Sequence, residues 1–235
     1  MVHAYALTAL LGAVVLLALF LPRLLLGKRS GRGWSVLIVG PSGGGKTTLL
    51  MRLEGRQLRG TATSMAPNRG TVHGVQLVDV PGHPRLADSY FQAHVANCKG
   101  VVAVVDALNY NATKEEFARH VYRLLTSPVI RGRGIPILVA CNKADCGAKA
   151  HSTEFIRKRT EKLIQQLYEA DVGDSMREGA GALEHNILSP DGGAFSFDQL
   201  REKRRFHRPI EVSFHSVSAK GGDLEPVRDF IVSFS

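Results

Sequence analysis

Residues 40–47 read Gly40, Pro41, Ser42, Gly43, Gly44, Gly45, Lys46 and Thr47, a complete G-x-x-x-x-G-K-T pattern. Glycines at this density let successive backbone N–H groups turn inward and cradle phosphate oxygens. The lysine is spaced to neutralise β- and γ-phosphates, and the threonine hydroxyl to coordinate Mg2+. The pattern needs a strand before it and a helix after it. The apolar run Trp34–Val39 and the helical spacing of Thr47–Leu58 supply that context.

Three further stretches follow in a consistent order. Asp79-Val80-Pro81-Gly82-His83 comes after an apolar strand, 33 residues past Lys46. A carboxylate at a strand end, Asp79, can hold Mg2+ through water. The Gly82 N–H can approach a γ-phosphate because no side chain blocks it. Asn142-Lys143-Ala144-Asp145 follows the run Ile135–Cys141. Asp145 can accept hydrogen bonds from N1–H and the exocyclic amine of guanine. Adenine lacks that donor pair and would leave the carboxylate desolvated and unpaired. Lys143 would lie over the base plane, and Asn142 would brace neighbouring loops. Ser218-Ala219-Lys220 follows the last strand, where its backbone can meet the guanine carbonyl.

Thr61-Ala62-Thr63-Ser64 lies between the first two motifs. A hydroxyl there could close on Mg2+ only when a γ-phosphate is present, which would make the loop an order–disorder switch. Thr63 is the expected metal ligand beside Thr47 and Asp79, with Thr61 in reserve.

These residues need a scaffold that brings distant loops together. Val75–Val80, Val101–Val105, Ile135–Cys141 and Ile210–Phe214 read as strands. Ala112–Leu125, Phe155–Tyr168 and the set Val227, Phe230, Ile231 and Phe234 read as amphipathic helices. The alternation predicts an α/β fold with a mostly parallel central sheet and helices on both faces. Such sheets bind ligands at the carboxyl ends of their strands. Gly173–Arg208 is rich in Gly, Ser and charge and predicts an insertion. It ends in the basic run Arg201-Glu202-Lys203-Arg204-Arg205, a solvated loop on one reading and a lipid or partner contact on the other.

The chain holds 235 residues with a net charge of +9 and 44% hydrophobic residues, which excludes a wholly disordered or collagen-like protein. Residues 1–26 stand apart. Ala4–Pro22 carries no charge over 19 residues. About 20 apolar residues cross a hydrocarbon core of roughly 30 Å. A cleaved signal peptide is disfavoured, since His3 is the only basic side chain ahead of the run and no small-residue site closes it. Arg23, Lys28, Arg29 and Arg32 all lie C-terminal to the run, which places residues 27–235 in the cytosol. Residues 27–33 form a basic linker at the headgroup layer, and residues 34–235 the folded domain. Cys98, Cys141 and Cys146 show no C-x-x-C spacing, in keeping with a reducing compartment and no structural zinc.

Together the four motifs resemble the small Ras-like P-loop GTPases over residues 34–235. The apolar N-terminus, Thr61–Ser64, Pro81-Gly82-His83, Ala140-Cys141-Asn142-Lys143, Phe195-Ser-Phe-Asp-Gln-Leu200 and Ser218-Ala-Lys-Gly-Gly222 resemble, more narrowly, the family of signal recognition particle receptor beta subunits. The resemblance implies a single-pass endoplasmic reticulum protein with a cytosolic GTPase domain. In that family the GTP form holds the alpha subunit and so anchors the docking site for ribosomes carrying secretory chains. It implies GTP/GDP and Mg2+ as cofactors, and the alpha subunit, the bilayer and the ribosome or translocon as partners. It implies nucleotide contacts from residues 40–48 (including Thr48), Thr61, Ala62, Thr63, Ser64, Gly82 and Ala219. The sequence departs from the family pattern in the short stretch between Ser64 and Val75, which bears on the shape of the switch surface.

Many GTPases place Gln after the D-x-x-G glycine to orient water. Here His83 stands in that place and is the candidate for positioning water, with Lys46 stabilising charge. No arginine finger in cis is evident. Slow intrinsic hydrolysis, stimulated by a partner, is the expected chemistry. An Arf-like GTPase of vesicle traffic is the alternative, but such proteins usually anchor through a lipidated helix, and Met1-Val2 offers no myristoylation glycine. Asp145 argues against an ATPase. The absence of aromatic–basic interleaving argues against sequence-specific nucleic-acid binding.

Overall fold

The computed structural model describes residues 34–58, 64–177, 193–202 and 208–235. The expected membrane span, the basic linker, Thr61, Ala62 and Thr63, and residues 178–192 and 203–207 lie outside the described residues. Among the described residues no helix is long and apolar enough to cross a membrane.

The unit Trp34–Ser235 is built on one sheet. Its strands are β1 (Ser35–Val39), β2 (Asn68–Val72), β3 (Val75–Asp79), β4 (Cys98–Asp106), β5 (Ile137–Asn142) and β6 (Val212–Ser216). Its helices are α1 (Lys46–Leu53), α2 (Pro84–Val95), α3 (Tyr110–Thr126), α4 (Pro128–Arg133), α5 (Thr153–Arg177) and α6 (Glu225–Val232). The strand order is β2-β3-β1-β4-β5-β6. Only β2 runs antiparallel, paired with β3. The other four pairings are parallel, so β1, β3, β4, β5 and β6 all point their carboxyl ends the same way.

A central strand covered on both faces must be apolar along its whole length. β4 meets that condition: Val101, Val102, Val104 and Val105 are fully buried. Alternate side chains divide into two cores. Leu37, Ala103, Val139 and their neighbours pack against α2, α3 and α5 through Phe91, Phe117, Val121 and Ile164. Val36, Ile38, Val102, Val104 and Leu138 face Leu49, Leu50, Val227 and Ile231 of α1 and α6.

Several elements differ from the sequence expectation. The helix expected over Thr47–Leu58 ends at Leu53 because Gly55, at φ 72, takes the left-handed conformation. Its N–H bonds the Arg52 carbonyl while the Arg56 N–H bonds the Met51 carbonyl, a paired termination that leaves no room for a further turn. β2 is absent from the sequence reading because an edge strand with alternate residues toward water carries no apolar run. α2 has no counterpart in the sequence expectation; His83 caps it and Pro84 opens it.

The insertion expected over Gly173–Arg208 is corrected in two places. α5 continues to Arg177. Downstream, Phe195 and Phe197 are buried in the core beneath α3 and α5. Gln165 accepts a hydrogen bond from the Phe195 N–H at 2.9 Å, and Glu161 accepts from the Phe197 N–H at 2.9 Å. The Phe197 ring meets Phe195 and Phe214 edge-on at 5.2 and 5.1 Å. Two aromatic residues amid polar ones show too little periodicity to be read as core from sequence.

Phe197→Ala is expected to lower folding stability by about 3–5 kcal/mol, the cost of a large buried cavity. Urea denaturation followed by circular dichroism measures it; an unchanged midpoint would mean the segment only lies on the surface.

Candidate functional site

The parallel sheet delivers the motif residues to one end. Gly40 follows β1, Val80 follows β3, Asp106 closes β4, Asn142 closes β5 and Ser218 lies two residues beyond β6. A cavity of about 330 Å³ opens there, lined by the loop before α1, Ser64, Asp79–Gly82 and Lys143.

The glycines are required by contact as well as by turn. Gly40 has φ 135, and a Cβ on it would stand 2.1 Å from the Val104 carbonyl oxygen. A Cβ on Gly82 would meet the Lys46 ammonium at 2.5 Å and the Ser42 N–H nitrogen at 2.7 Å. The D-x-P-G turn therefore presses directly onto the glycine-rich loop. A side chain at 82 would fill the space that an anion needs beside Lys46.

Lys46 is 7% exposed. Its ammonium donates to the carbonyls of Gly40 and Pro41 at 2.9 and 2.8 Å. Burial pulls its pKa below the ordinary lysine value, opposed by the Asp79 and Glu116 carboxylates. Among the described residues the charge is held by neutral dipoles, without a carboxylate in hydrogen-bond contact, which suits a group awaiting an anion.

Asp79 is 1% exposed. Its Oδ2 accepts from the Thr47 hydroxyl at 2.7 Å and from the Asn68 amide at 3.0 Å. Its Oδ1 is buried and, among the described residues, has no hydrogen-bond partner. A buried orphan carboxylate oxygen is costly unless a cation or water meets it. Thr47, Asp79 and the Ser64 hydroxyl, 3.5 Å from that of Thr47, are all oxygen donors. This set fits a hard divalent cation such as Mg2+. Asn68, which also donates to Ser64 at 3.0 Å, was not singled out by sequence. It sits directly opposite Asp79 in the antiparallel pair, a register invisible to motif reading.

At the other end of the cavity Asn142 is 2% exposed. Its amide donates to the Gly44 carbonyl at 2.9 Å, and its oxygen accepts from the Ala219 N–H at 2.9 Å. Lys143 takes the left-handed conformation at φ 71, uncommon outside glycine and frequent at constrained sites. Its ammonium meets Asp106. Burial opposes the Asp106 charge, yet hydrogen bonds from Lys143 and Asn109 outweigh it and hold its pKa below the usual carboxylate value. Asp106 was missed by the sequence reading; its only signal is an acid closing a Val-rich strand. Asp145 is exposed and accepts from the Ser218 hydroxyl at 2.6 Å. Ser218 in turn accepts from the Gly221 N–H at 2.8 Å, so the carboxylate is aimed by a built turn.

The structure thus gathers Ser42, Gly43, Gly45, Lys46, Thr47, Thr48, Ser64, Asp79, Gly82 and Lys143 around the cavity. Gly40, Pro41, Gly44, Asn142 and Ala219 brace its walls through the bonds given above. Asp145 and Ser218 adjoin Lys143 beyond the cavity. His83 is not among the lining residues; its Nδ1 accepts the Arg85 N–H and caps α2.

A model of the family "Signal recognition particle receptor beta subunit" matches residues 32–204. The chain is 30% identical to the signal recognition particle receptor subunit beta of Mus musculus over 227 residues, covering 92% of this chain and 80% of that one. The solved structure of the mammalian SRP receptor superposes with a TM-score of 0.70 at 28% identity, over 86% of this chain and 100% of that chain. The receptor SRb-GDP-Mg from Chaetomium thermophilum gives a TM-score of 0.62 at 21% identity, over 86% and 99%, a likeness of fold.

Lys46→Met is expected to abolish triphosphate binding (at least about 100-fold weaker) while leaving the ligand-free fold as stable or more so, because it removes a desolvated charge. The sign also sets a pH dependence. With the folded pKa below 10.5, protonated Lys46 disfavours the folded state at neutral pH, and that penalty fades as pH rises through the lowered pKa. The gap in melting temperature between variant and parent should therefore narrow between neutral pH and about 10.5. A variant less stable than the parent throughout would contradict this.

Proposed function

The chain belongs to the family of signal recognition particle receptor beta subunits, and from that premise we propose that it is a membrane-anchored GTP-binding switch subunit. In this reading it holds the receptor's alpha subunit at the endoplasmic reticulum for co-translational targeting. The observation that carries the nucleotide part is the cavity itself: among the described residues, a buried ammonium without a carboxylate partner in hydrogen-bond contact and a buried orphan carboxylate oxygen share it with Lys143.

The assignments follow from the chemistry of the groups. Backbone N–H groups of 42–48 and the Lys46 ammonium would hold the phosphates, and Thr47 and Asp79, joined by Thr63, would hold Mg2+. Bound there, the cation would neutralise phosphate charge. Lys143 would cover the base, with Asp145 reading guanine and Ala219 meeting its carbonyl. Asn142 would keep the phosphate and base loops at a fixed separation. Gly82 would sense a γ-phosphate, since its backbone already lies against Lys46 and Ser42.

His83 caps α2 in this structure. Positioning water would require it to leave that cap. This supports slow intrinsic hydrolysis with the nucleotide as a latch, and a partner to complete the site. The 19-residue uncharged run supports the anchor, and the basic residues after it support a cytosolic domain.

Full-length protein with magnesium is expected to prefer GTP over ATP by at least about 100-fold in a competition titration, and Asp145→Ala to erase the preference. Equal affinity for both nucleotides would end the nucleotide reading. Separately, the alpha subunit should co-purify in stoichiometric amount from detergent-solubilised membranes with GTP-loaded protein and poorly with the nucleotide-free form. Equal recovery in both states would remove the switch.

A further inference from the structure

The nucleotide cavity occupies the carboxyl ends of the strands. The opposite end carries a feature that the site does not use. Trp34, the only tryptophan of the chain, is 52% exposed just before β1. Two cations cover its ring: the Arg133 guanidinium at 4.9 Å and the Lys99 ammonium at 5.3 Å. Arg133 comes from the end of α4 and Lys99 from the start of β4. Arg133 is fixed further by donating to the Ala96 carbonyl at 3.0 Å. Among the described residues neither cation pairs with a carboxylate. The exposed Arg208 adds charge beside them: its Cβ stands 2.8 Å from where a Cβ on Gly134 would lie. Of the acids toward this end, Glu211 pairs with Arg201 and Glu54 with Arg56, while the exposed Asp229 lies beside Glu211 at the start of β5.

A large aromatic ring left half in water and flanked by unpaired cations has the composition of a membrane-interface contact. Indole rings concentrate at the headgroup level, and lysine and arginine near an anionic leaflet are attracted to it. The chain's own connectivity sets the distance. Seven residues, 27–33, separate Trp34 from the apolar N-terminal segment. Fully extended they reach at most about 25 Å. Three of the seven are basic. If that segment is inserted, Trp34 is confined to the neighbourhood of the bilayer surface, with the half-buried Lys99 and Arg133 and the exposed Arg208 beside it.

We infer that Trp34, Lys99 and Arg133, with Arg208, form a docking face for the anionic headgroups of the membrane that the protein is anchored in. This face would set the orientation of the domain: the amino ends of the strands against lipid, and the nucleotide cavity on the opposite end, facing the cytosol. The inference rests on the anchored reading given above and adds a surface and an orientation to it.

The single tryptophan makes the test direct. The full-length chain is reconstituted into vesicles of neutral phosphatidylcholine, or of the same lipid with phosphatidylserine, each with and without a headgroup spin label. In the anionic vesicles Trp34 emission should shift to the blue and be quenched by the label, at least about twofold more than in neutral ones. One molar salt, which cuts the screening length from about 10 to 3 Å, should reverse much of the difference. The double variant Lys99→Gln/Arg133→Gln should lose the anionic dependence while binding nucleotide as the parent does. Flotation of the vesicles after an alkaline wash separates the two ideas. A chain that does not float removes the anchor and this face with it. A chain that floats, yet shows the same Trp34 emission and quenching in neutral and anionic vesicles, overturns the face alone. Emission that changes only when a protein partner is added also overturns it.

Discussion

The side-chain amide of Asn142 joins two loops that the chain brings together from 98 residues upstream and 77 downstream. One end donates to Gly44 in the glycine-rich loop, the other accepts from Ala219 after β6. Both bonds are buried, where an unmade partner costs about 1–3 kcal/mol. The pair therefore sets the spacing between the glycine-rich loop and the loop after β6. A Cβ on Gly45 would lie 2.3 Å from the same amide nitrogen, so the loop's glycine and the asparagine occupy mutually dependent positions. Asparagine is well suited to this task, because a short planar group with one donor end and one acceptor end can bridge a carbonyl and an N–H without carrying charge.

The rest of the site is a set of deliberately incomplete interactions around that bridge. Lys46 is buried against neutral carbonyls, and among the described residues one oxygen of Asp79 has no partner. Neither arrangement stabilises the fold; each is an electrostatic deficit that an anion or a cation would relieve. Lys143, at φ 71, and Asp106, in contrast, satisfy each other. The cavity thus contains uncompensated groups beside the glycine-rich loop and a satisfied ion pair at Lys143. Such a site would bind a charged ligand by relieving those deficits.

The parallel sheet separates this chemistry from the opposite face of the domain. Carboxyl ends of five strands carry the polar constellation, and the amino ends carry Trp34 with its cations. β4, buried on both faces, is the rigid spacer between them. Cys98 and Cys141 sit in that interior with thiols pushed by burial up to about 12, which makes them packing residues.

The glycine-rich loop, the D-x-P-G turn, the Asn142–Asp145 stretch and the alternation of strands and helices could all be read from residue types, because each is a local pattern whose spacing is set by backbone geometry. Sequence also placed most strands within a few residues, since a strand covered on both faces needs an unbroken apolar run. Asp106, Asn68 and the buried Phe197 could not be found that way. Asp106 meets Lys143 only because β4 and β5 pair in a register that sets it beside Asn142. Asn68 reaches Asp79 through an edge strand whose water-facing residues hide its periodicity. Phe197 is core because α5 holds its segment down, Glu161 accepting from the Phe197 N–H and Gln165 from the Phe195 N–H. Local chemistry is written in neighbouring residues. Which distant groups complete it is decided by strand register and packing, and those are properties of the folded whole.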